Sequence, residues 1–316
     1  MLKLTPLILL LLLLPQSALT QSIKTTDKLQ ANEPLDIAVT VTNKRGSFIG
    51  GLKPENFVVH IDKIQQTIEG LTEGDEPVSI GIVVDASGSI QYSLTMQELP
   101  QLLSRFHSLS NKQNEYFLLA FNITPELLMD WGPELKPGLE KLVTVKPKRN
   151  TAFFDAVYVA AEKVNRGRHR KRALIVISDG MDNLSRYTFN EVRELLRETD
   201  IIVHAVTLSS ELLAGSTLGL DGLRTLDELS TLSGGMTFYT SKPGRWRTDD
   251  LTQAFEMLAN SLRRQYKIRM TPVYKPSEKW HRLKIKLNVS DPRKEFRGLS
   301  ATAREGFYLV PAQVKR

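Results

Sequence analysis

The sequence predicts an α/β protein with a doubly wound, mostly parallel central sheet and a small flanking β module built from its N- and C-terminal segments. Two patterns predict this class. Between residues 78 and 262, short apolar runs rich in valine and isoleucine alternate with segments whose apolar residues recur at helical spacing, as in strands that helices cover on both faces. On either side of that region, apolar and polar residues alternate one by one, which is typical of strands with one solvent-exposed face.

The central region alternates strands and helices. We expect strands at residues 78–85, 116–121, 126–131, 172–178, 201–207 and 236–239, and helices at residues 90–109, 151–164, 190–197, 223–232 and 251–262. Such an alternation folds into parallel units with right-handed connections, so we expect a Rossmann-like sheet. For the strand at 126–131, antiparallel pairing at the sheet edge is an option.

The flanking segments are each short. We expect strands at residues 35–42, 57–61 and 67–71 before the central region, and at 266–270, 283–289 and 306–310 after it. The N-terminal strands alone are too few for a complete sandwich. We therefore expect the two segments to pair with each other, which makes the α/β domain an insertion within the β module.

The N-terminus resembles a targeting segment. Lys3 is followed by an apolar run that ends at Leu14, with the small residues Ser17 and Ala18 after it. A charged start, a run too short to span a bilayer comfortably and small residues predict a secretory signal peptide; an uncleaved anchor is the alternative. The expected organisation is a signal peptide at 1–20, a β segment at 21–76, the α/β domain at 77–263 and a second β segment at 264–316, in a protein that is secreted or lies in the periplasm or cell envelope.

Composition excludes several kinds of chemistry. The 316 residues include no cysteine, so disulfides, thiolate metal sites and a cysteine nucleophile are absent. The net charge of +7 comes from 42 basic and 35 acidic residues, a modest excess. Nucleic-acid binding is not expected without an aromatic and basic recognition module, whereas weak attraction to anionic envelope surfaces is.

Three segments that we expect at one edge of the predicted sheet carry polar side chains. Asp85, Ser87 and Ser89 occupy alternate positions after the first buried strand, Thr151 precedes a predicted helix, and Asp179 ends another buried strand. Each group alone is also explained by helix capping or a turn. Together, all at the C-terminal edge, they predict a shared site. Hard oxygen ligands without cysteine or histidine favour Mg²⁺, Mn²⁺ or Ca²⁺ over zinc.

Further residues are expected on the same face because they neighbour this constellation. The loop before Thr151 is basic, and an acidic residue follows Asp179 by three positions; capping is the other interpretation of that acidic residue. The candidates for contact with a ligand are Lys146, Lys148, Arg149, Asn150 and Asp182. A second basic run, residues 166–172, lies between a helix end and the next strand, hence on the opposite edge, where a solvated loop is the favoured interpretation.

The three pieces, in this order, resemble the metal-ion-dependent adhesion site of von Willebrand factor A-type domains, and the resemblance covers residues 78–262. Many members of that family have glycine where this chain has Asn150. The flanking sequences at 51–57, 264–269 and 304–308 are similar to the secreted bacterial subfamily called von Willebrand factor A-related Acidobacteria proteins.

The resemblance implies how an ion is held and used. Ser87, Ser89 and either Asp179 or Thr151 would contact it directly, and the remaining groups would hold it through water. One open coordination position would accept an acidic side chain of a partner protein. The implied function is that of a secreted, metal-dependent protein-binding or adhesion module without catalysis.

An enzymatic alternative stays open on the residues alone. A magnesium-dependent phosphoryl-transfer or hydrolytic enzyme would use Asp85, with Lys146 or Lys148 as its lysine partner. The sequence has no G-x-S-x-G elbow, no phosphate-binding G-x-x-x-x-G-K-[ST] loop and no H-E-x-x-H pair. His204, within a predicted buried strand, is expected to be a core residue.

Overall fold

The computed structural model describes residues 29–30, 33–88, 94–208, 217–239, 249–274, 280–289 and 298–310. Its strands are β1 (Leu29–Gln30), β2 (Leu35–Thr42), β3 (Phe57–Ile61), β4 (Ile64–Gln65), β5 (Gly70–Gly74), β6 (Val78–Asp85), β7 (Glu115–Phe121), β8 (Pro125–Gly132), β9 (Lys171–Ser178), β10 (Ile201–Thr207), β11 (Thr237–Tyr239), β12 (Gln265–Met270), β13 (Trp280–Leu287), β14 (Ser300–Thr302) and β15 (Gly306–Val310). Its helices are α1 (Leu94–Leu109), α2 (Lys136–Leu142), α3 (Phe153–Val164), α4 (Phe189–Glu198), α5 (Thr217–Ser233) and α6 (Asp249–Arg263). The predicted signal peptide lies outside the described residues.

The central sheet has six strands in the order β11-β10-β9-β6-β7-β8. Every neighbouring pair is parallel except β7 and β8. This confirms the predicted α/β class and the antiparallel pairing at one edge. β8 is an edge strand, and Leu127 on it is 45% exposed while the adjacent Leu128 is buried. β6 and β9 are neighbours in the middle of the sheet, so their C-terminal ends meet at one edge.

Helices cover both faces of this sheet because the strands present apolar side chains to both. Ile80, Ile82 and Val84 of β6 face the layer formed by α1, α2 and α6. Val83 faces the layer formed by α3, α4 and α5. Gly81 of the same strand carries no side chain because the Phe117 ring fills that space; an added Cβ would lie 2.3 Å from it. Burial on both faces makes these strands continuous apolar runs.

The flanking segments form two small sheets, and each mixes N- and C-terminal strands. The order is β14-β2-β12-β5 in the four-stranded sheet and β1-β15-β13-β3-β4 in the five-stranded one. The antiparallel pairs β2 with β12 and β3 with β13 join the two ends of the chain, which confirms the predicted pairing. They enclose a separate core that includes Ile37, Val59, Tyr266 and Phe307. The exact domain boundaries stay a prediction.

Several elements differ from the sequence prediction: β1, β4 and β14 were not predicted, α5 begins six residues earlier than expected, and β13 spans 280–287 rather than 283–289. Two further differences have a cause that the structure shows. The strand predicted at 67–71 is β5, which begins three residues later, at Gly70. The Gln66 side chain is hydrogen-bonded to both the N–H and the carbonyl of Val273, and this tie holds the chain in an irregular stretch until Glu69. Helix α2 was not predicted, because Pro137 and Gly138 break the helical pattern within it.

No helix among the described residues is both long enough and apolar enough to cross a membrane.

Candidate metal centre

The two predicted carboxylates lie at the ends of adjacent central strands. Asp85 is the last residue of β6, and Asp179 directly follows β9. The register pairs Val84 with Ile177, so the two strands end at the same level of the sheet. Asp85 is fully buried and Asp179 is 6% exposed. The structure therefore brings together two acidic side chains that are 94 positions apart in the sequence.

Hydrogen bonds fix both carboxylates. Oδ1 of Asp85 accepts from the backbone N–H of Ser87 at 2.9 Å, and Oδ2 accepts from the hydroxyl of Ser178 at 2.7 Å. Oδ1 of Asp179 accepts from the backbone N–H of Met181 at 3.0 Å. Both aspartates thus bond the N–H two residues ahead, a turn that Asp adopts readily after a strand.

Asp85 ionises with difficulty in the isolated protein. Burial and the nearby negative charge of Asp179 raise the pKa of Asp85 to about 7, although hydrogen bonds from Ser87 and Ser178 oppose the shift. Removing a carboxylate from water disfavours its charged form, and a second carboxylate beside it adds to this effect.

Ser87 lies between the first strand and the basic loop. It is buried and forms an isolated parallel bridge with Lys148, and the N–H of Gly88 donates to the Lys148 carbonyl at 2.8 Å. The predicted ligand Ser89 lies outside the described residues. The loop that precedes Thr151 is therefore joined by its backbone to the loop that follows Asp85.

Thr151 lies beside the same edge, but it does not cap helix α3. The N-cap position of this helix is Ala152, whose side chain forms no capping hydrogen bond. The N–H of Thr151 donates to Oδ1 of Asn183 at 2.9 Å, and the Thr151 carbonyl accepts from the N–H of Asn183 at 3.0 Å. The capping interpretation of Thr151 is therefore wrong. The residue is 5% exposed and lies at the C-terminal edge of the sheet.

Asp182 supplies the missing cap from another loop. Its Oδ1 accepts from the N–H groups of Phe153 and Phe154 at 2.8 and 3.3 Å, so it satisfies the first free donors of α3. In return, Oδ1 of Asp155 in α3 accepts from the N–H groups of Arg186 and Tyr187. These bonds join the loop after Asp179 to the helix after Thr151 in both directions.

The remaining ligand-face candidates are at the surface. Lys146, Lys148, Arg149 and Asn150 are exposed. The Lys146 carbonyl accepts from the Asn122 side chain at 3.2 Å, and the carbonyl of Lys148 is held as described above, so the backbone of this loop is anchored while its side chains reach solvent. Their contact with a ligand stays a prediction.

Sequence reasoning missed three residues that shape the site. Ser178 holds Asp85, and Asn122 bonds the loop before Thr151 and accepts from the N–H of Ala152 at 2.6 Å. Gly222 of α5 lies against the Asp179 backbone; an added Cβ would come within 2.3 Å of the Asp179 carbonyl oxygen. The signal for Asn122 was present, because it is a polar residue directly after a buried strand next to β6. Nothing in the sequence pattern indicated Gly222.

The donor set fits a hard divalent cation. Asp85, Asp179, Ser87 and Thr151 offer carboxylate and hydroxyl oxygens at one edge, and the groups that oppose the raised pKa of Asp85 are hydrogen-bond donors rather than basic side chains. A divalent cation balances two carboxylates and favours their ionised forms. Within the described part of the chain, no group of three or more His, Cys, Asp or Glu side chains forms a metal-binding cluster; this site has two carboxylates, and its other oxygens come from hydroxyl groups.

Comparison with known proteins identifies the domain. Residues 80–181 match the family model of the von Willebrand factor type A domain. Curated protein sequences give no match.

Several solved structures match part of this chain at low sequence identity. The conserved hypothetical protein BatB from Bacteroides thetaiotaomicron is 16% identical with a TM-score of 0.44, and the alignment covers 58% of this chain and 98% of that one. A von Willebrand factor type A protein from Catenulispora acidiphila is 12% identical with a TM-score of 0.46, covering 82% and 74%. The PilB minor pilin from Streptococcus sanguinis is 13% identical with a TM-score of 0.45, covering 62% of each chain.

The matched residues run from β6 through β9 to the turn after Asp179 and thus include Asp85, Ser87, Thr151 and Asp179. The subfamily suggested by the flanking segments stays a prediction. With its mostly parallel six-stranded sheet between two helical layers, the chain contains a von Willebrand factor A-type domain.

Proposed function

We propose that this chain is a secreted, metal-dependent protein-binding module. One observation carries the proposal: the buried carboxylates of Asp85 and Asp179 converge at the sheet edge beside the hydroxyl-bearing residues Ser87 and Thr151. Mg²⁺ or Mn²⁺ is the ion that we assign to it, with Ca²⁺ as the third option, because all these donors are hard oxygens.

The hydrogen bonds favour different roles for the two carboxylates. Both oxygens of Asp85 already accept hydrogen bonds, from Ser87 and Ser178. Asp85 therefore positions Ser87 and supplies negative charge near the ion without contacting it directly. Ser87, Ser89, Thr151 and Asp179 are the residues that would offer oxygen atoms towards the ion. A bound divalent ion would supply a Lewis-acid position that an anionic oxygen of a partner can occupy.

The surface around the site supports an acidic partner. Lys146, Lys148 and Arg149 are exposed on the loop joined to Ser87 and Gly88. Positive side chains around a metal site whose ion and two carboxylates nearly cancel in charge attract a carboxylate and discriminate against basic partners. We therefore propose a protein ligand that presents an exposed Asp or Glu, in the cell envelope or the extracellular space.

The same hydrogen bonds weigh against the enzymatic alternative. A nucleophilic or basic Asp85 would need an oxygen accessible to substrate, whereas Asp85 is fully buried with both oxygens bonded. Incubation with a generic phosphate ester and Mg²⁺ should give no turnover. Turnover that Asp85→Asn abolishes would replace the binding proposal with the enzymatic one.

Calorimetric titration tests the ion. Wild-type protein should bind Mg²⁺ or Mn²⁺ at a single site, and Asp85→Ala and Asp179→Ala should weaken binding by at least about 10–100-fold. The control is Asp221→Ala, which removes an exposed carboxylate on α5. Equal heats of metal binding for wild type and both site variants would contradict the proposal.

A pull-down from envelope extract tests the partner. The purified protein is used with Mg²⁺ and again with EDTA, alongside Asp179→Ala. We expect a protein that is retained only by wild type with Mg²⁺. A partner retained equally in all three conditions would show that binding occurs elsewhere on the chain.

A further inference from the structure

A cavity of about 510 Å³ lies between the β module and the α/β domain. The module lines it with β2, β5 and β12, and the α/β domain lines it with residues around the starts of β9 and β10 and the end of α4. Because β9 begins here at Lys171 and ends at Ser178 beside the metal site, the two sites are about 23 Å apart at the usual rise per strand residue. The cavity is therefore independent of the metal centre.

Most charges in this cavity neutralise one another. Six basic and four acidic side chains line it. Three of the acids each have a basic partner of their own: the pairs are Asp36 with Arg269 at 2.8 Å, Glu76 with Lys267, and Asp200 with Arg304. The fourth acid, Glu73, accepts from the N–H of Gly51 at 2.9 Å. The positive excess comes from three consecutive residues, Arg170, Lys171 and Arg172.

None of these three cations forms an ion pair with a described residue. Arg170 is exposed and forms no hydrogen bond or ion pair with the described residues. Nη1 of Arg172 donates to Oδ1 of Asn165 over 3.4 Å, and its Nε is buried with no acceptor among the described residues. A buried donor without an acceptor is uncommon in folded proteins and destabilises the folded state.

Among the described residues, the side-chain amine of Lys171 has a backbone carbonyl as its only hydrogen-bond partner. Its Nζ donates to the backbone carbonyl of Leu262, and burial lowers the pKa of Lys171 to about 8 despite the attraction of Glu76 and Asp75. An ammonium that loses hydration without a close counter-charge is destabilised. A negative charge in the cavity that Arg170, Lys171 and Arg172 line would relieve the cost of holding these cations there.

We propose that this cavity binds a small oxyanion, a molecule that carries a phosphate or carboxylate group, through Arg170, Lys171 and Arg172. Guanidinium groups form strong, paired hydrogen bonds with such oxygens. The volume lies within the range of small-molecule sites. Since both the β module and the α/β domain line the cavity, the ligand would also stabilise their contact.

Binding of defined anions by the purified, metal-free protein tests this. Calorimetry and thermal unfolding are measured with pyrophosphate, inorganic phosphate and citrate, each against chloride at equal ionic strength. Metal-free conditions are needed because these anions bind divalent cations themselves. Arg170→Gln and Arg172→Gln are the test variants; Arg170 forms no hydrogen bond or ion pair with a described residue that its replacement would break. Arg166→Gln is the matched control, with the same charge change in the same basic run but outside the cavity.

We expect one anion per chain, a higher unfolding temperature, and affinity that falls roughly tenfold to hundredfold in the two test variants but not in Arg166→Gln. Binding of pyrophosphate but not citrate would assign a phosphate ligand, and the reverse a carboxylate. The proposal is overturned if no anion binds better than chloride, if Arg170→Gln binds like wild type, or if Arg166→Gln loses as much affinity.

Discussion

Asp85 couples the stability of the fold to its proposed function. The carboxylate is fully buried, and burial together with Asp179 raises its pKa from the ordinary 3.8 to about 7. A shift of this size corresponds to about 4 kcal/mol at most. For an acid whose folded pKa is raised, the associated stability is present near pH 4 and is lost as the pH rises through 7. A divalent ion would reverse that loss by favouring the ionised form.

We therefore predict that Asp85→Asn stabilises the ion-free protein above pH 7 while it weakens ion binding. The amide can keep both contacts, because the Ser178 hydroxyl can accept as well as donate. Urea unfolding in EDTA at pH 8 should show Asp85→Asn to be more stable than wild type by up to about 4 kcal/mol, and the difference should shrink at pH 5. A variant less stable than wild type at pH 8 would contradict this account.

His204 gives the opposite dependence on pH. It is fully buried in β10, its Nδ1 accepts from the N–H of Met236 at 3.2 Å, and its Nε2 is buried with no hydrogen-bond partner among the described residues. Burial lowers the pKa of His204 from 6.5 to about 3, with a smaller contribution from the positive charge of Lys171. Because the unfolded chain takes up a proton that the folded chain refuses, stability falls as the pH drops below 6.5 towards 3.

We predict a loss of about 1.4 kcal/mol per pH unit from His204 between pH 6 and pH 4. Comparison with His204→Asn isolates this contribution, since asparagine retains an acceptor near Nδ1 and does not titrate, and since Asp85 acts equally in both proteins. The variant is expected to be less stable overall but to lose less stability on acidification. Parallel stability curves for the two proteins between pH 7 and pH 4 would show that His204 is not responsible.

Among the secondary-structure elements, helix α3 and the loop after β9 depend on each other. Asp182 caps the helix, and Asp155 in the helix holds the N–H groups of Arg186 and Tyr187. The N–H and carbonyl of Thr151 are bonded to Asn183 of that loop. Hydrogen bonds of the Thr151 backbone thereby hold Thr151 against the loop that follows Asp179.

We predict that Asp182→Ala lowers stability by about 1–2 kcal/mol, since the helix loses its cap, and that it also weakens ion binding. Asp182→Asn keeps the accepting oxygen and should retain most of both properties. Urea unfolding and calorimetry with Mg²⁺ measure them. If Asp182→Asn weakens ion binding as much as Asp182→Ala, the charge of Asp182 serves the ligand face, and the capping role alone would be insufficient.

The sequence was informative where side-chain type follows burial. The apolar runs that became β6, β7, β9 and β10 were predicted because both faces are covered, and the core position of His204 is confirmed for the same reason.

Tertiary contacts decided the remainder. The start of β5 depends on the bonds between Gln66 and Val273, which are 207 positions apart. Whether Asp182 contacts a ligand or caps a helix depends on a helix whose first residues lie 28 or 29 positions earlier in the sequence. No local pattern records either contact.

In the whole molecule, the α/β domain is inserted into the β module and packs against it through α4. Oη of Tyr308 donates to Glu194 at 2.9 Å, and the guanidinium of Arg197 lies 5.0 Å from the centre of the Trp280 ring. Arg304 pairs with Asp200 and donates to the carbonyls of Arg197 and Thr199. The C-terminal segment therefore completes the module and also attaches it to the domain.

Because of this topology, a truncation that removes the C-terminal segment should disrupt both small sheets. β12 lies between β2 and β5, and β13 lies between β15 and β3, so removal of residues 264–316 takes an interior strand from both small sheets. Ile37, Val39 and Val59 of the remaining N-terminal segment, all at most 1% exposed in the intact protein, would then face water. Each such side chain loses about 1.5–3 kcal/mol of burial free energy.

We predict that a chain ending at residue 263 keeps a folded α/β domain and an unfolded N-terminal segment. The central sheet contains both of its core layers within residues 78–262 apart from the packing of Trp280, whereas the small sheets share one core from both flanks. Limited proteolysis with mass spectrometry should therefore cleave within residues 33–74 and leave residues 77–263 intact. A second truncation, residues 77–263 alone, is the matched control; it should show α/β circular dichroism and bind Mg²⁺ with near wild-type affinity, because the metal centre is at the edge remote from the module. Protection of residues 33–74 in the chain ending at 263 would show that the N-terminal strands form a stable unit by themselves, and an unfolded 77–263 fragment would show that the inserted domain depends on the module for its fold.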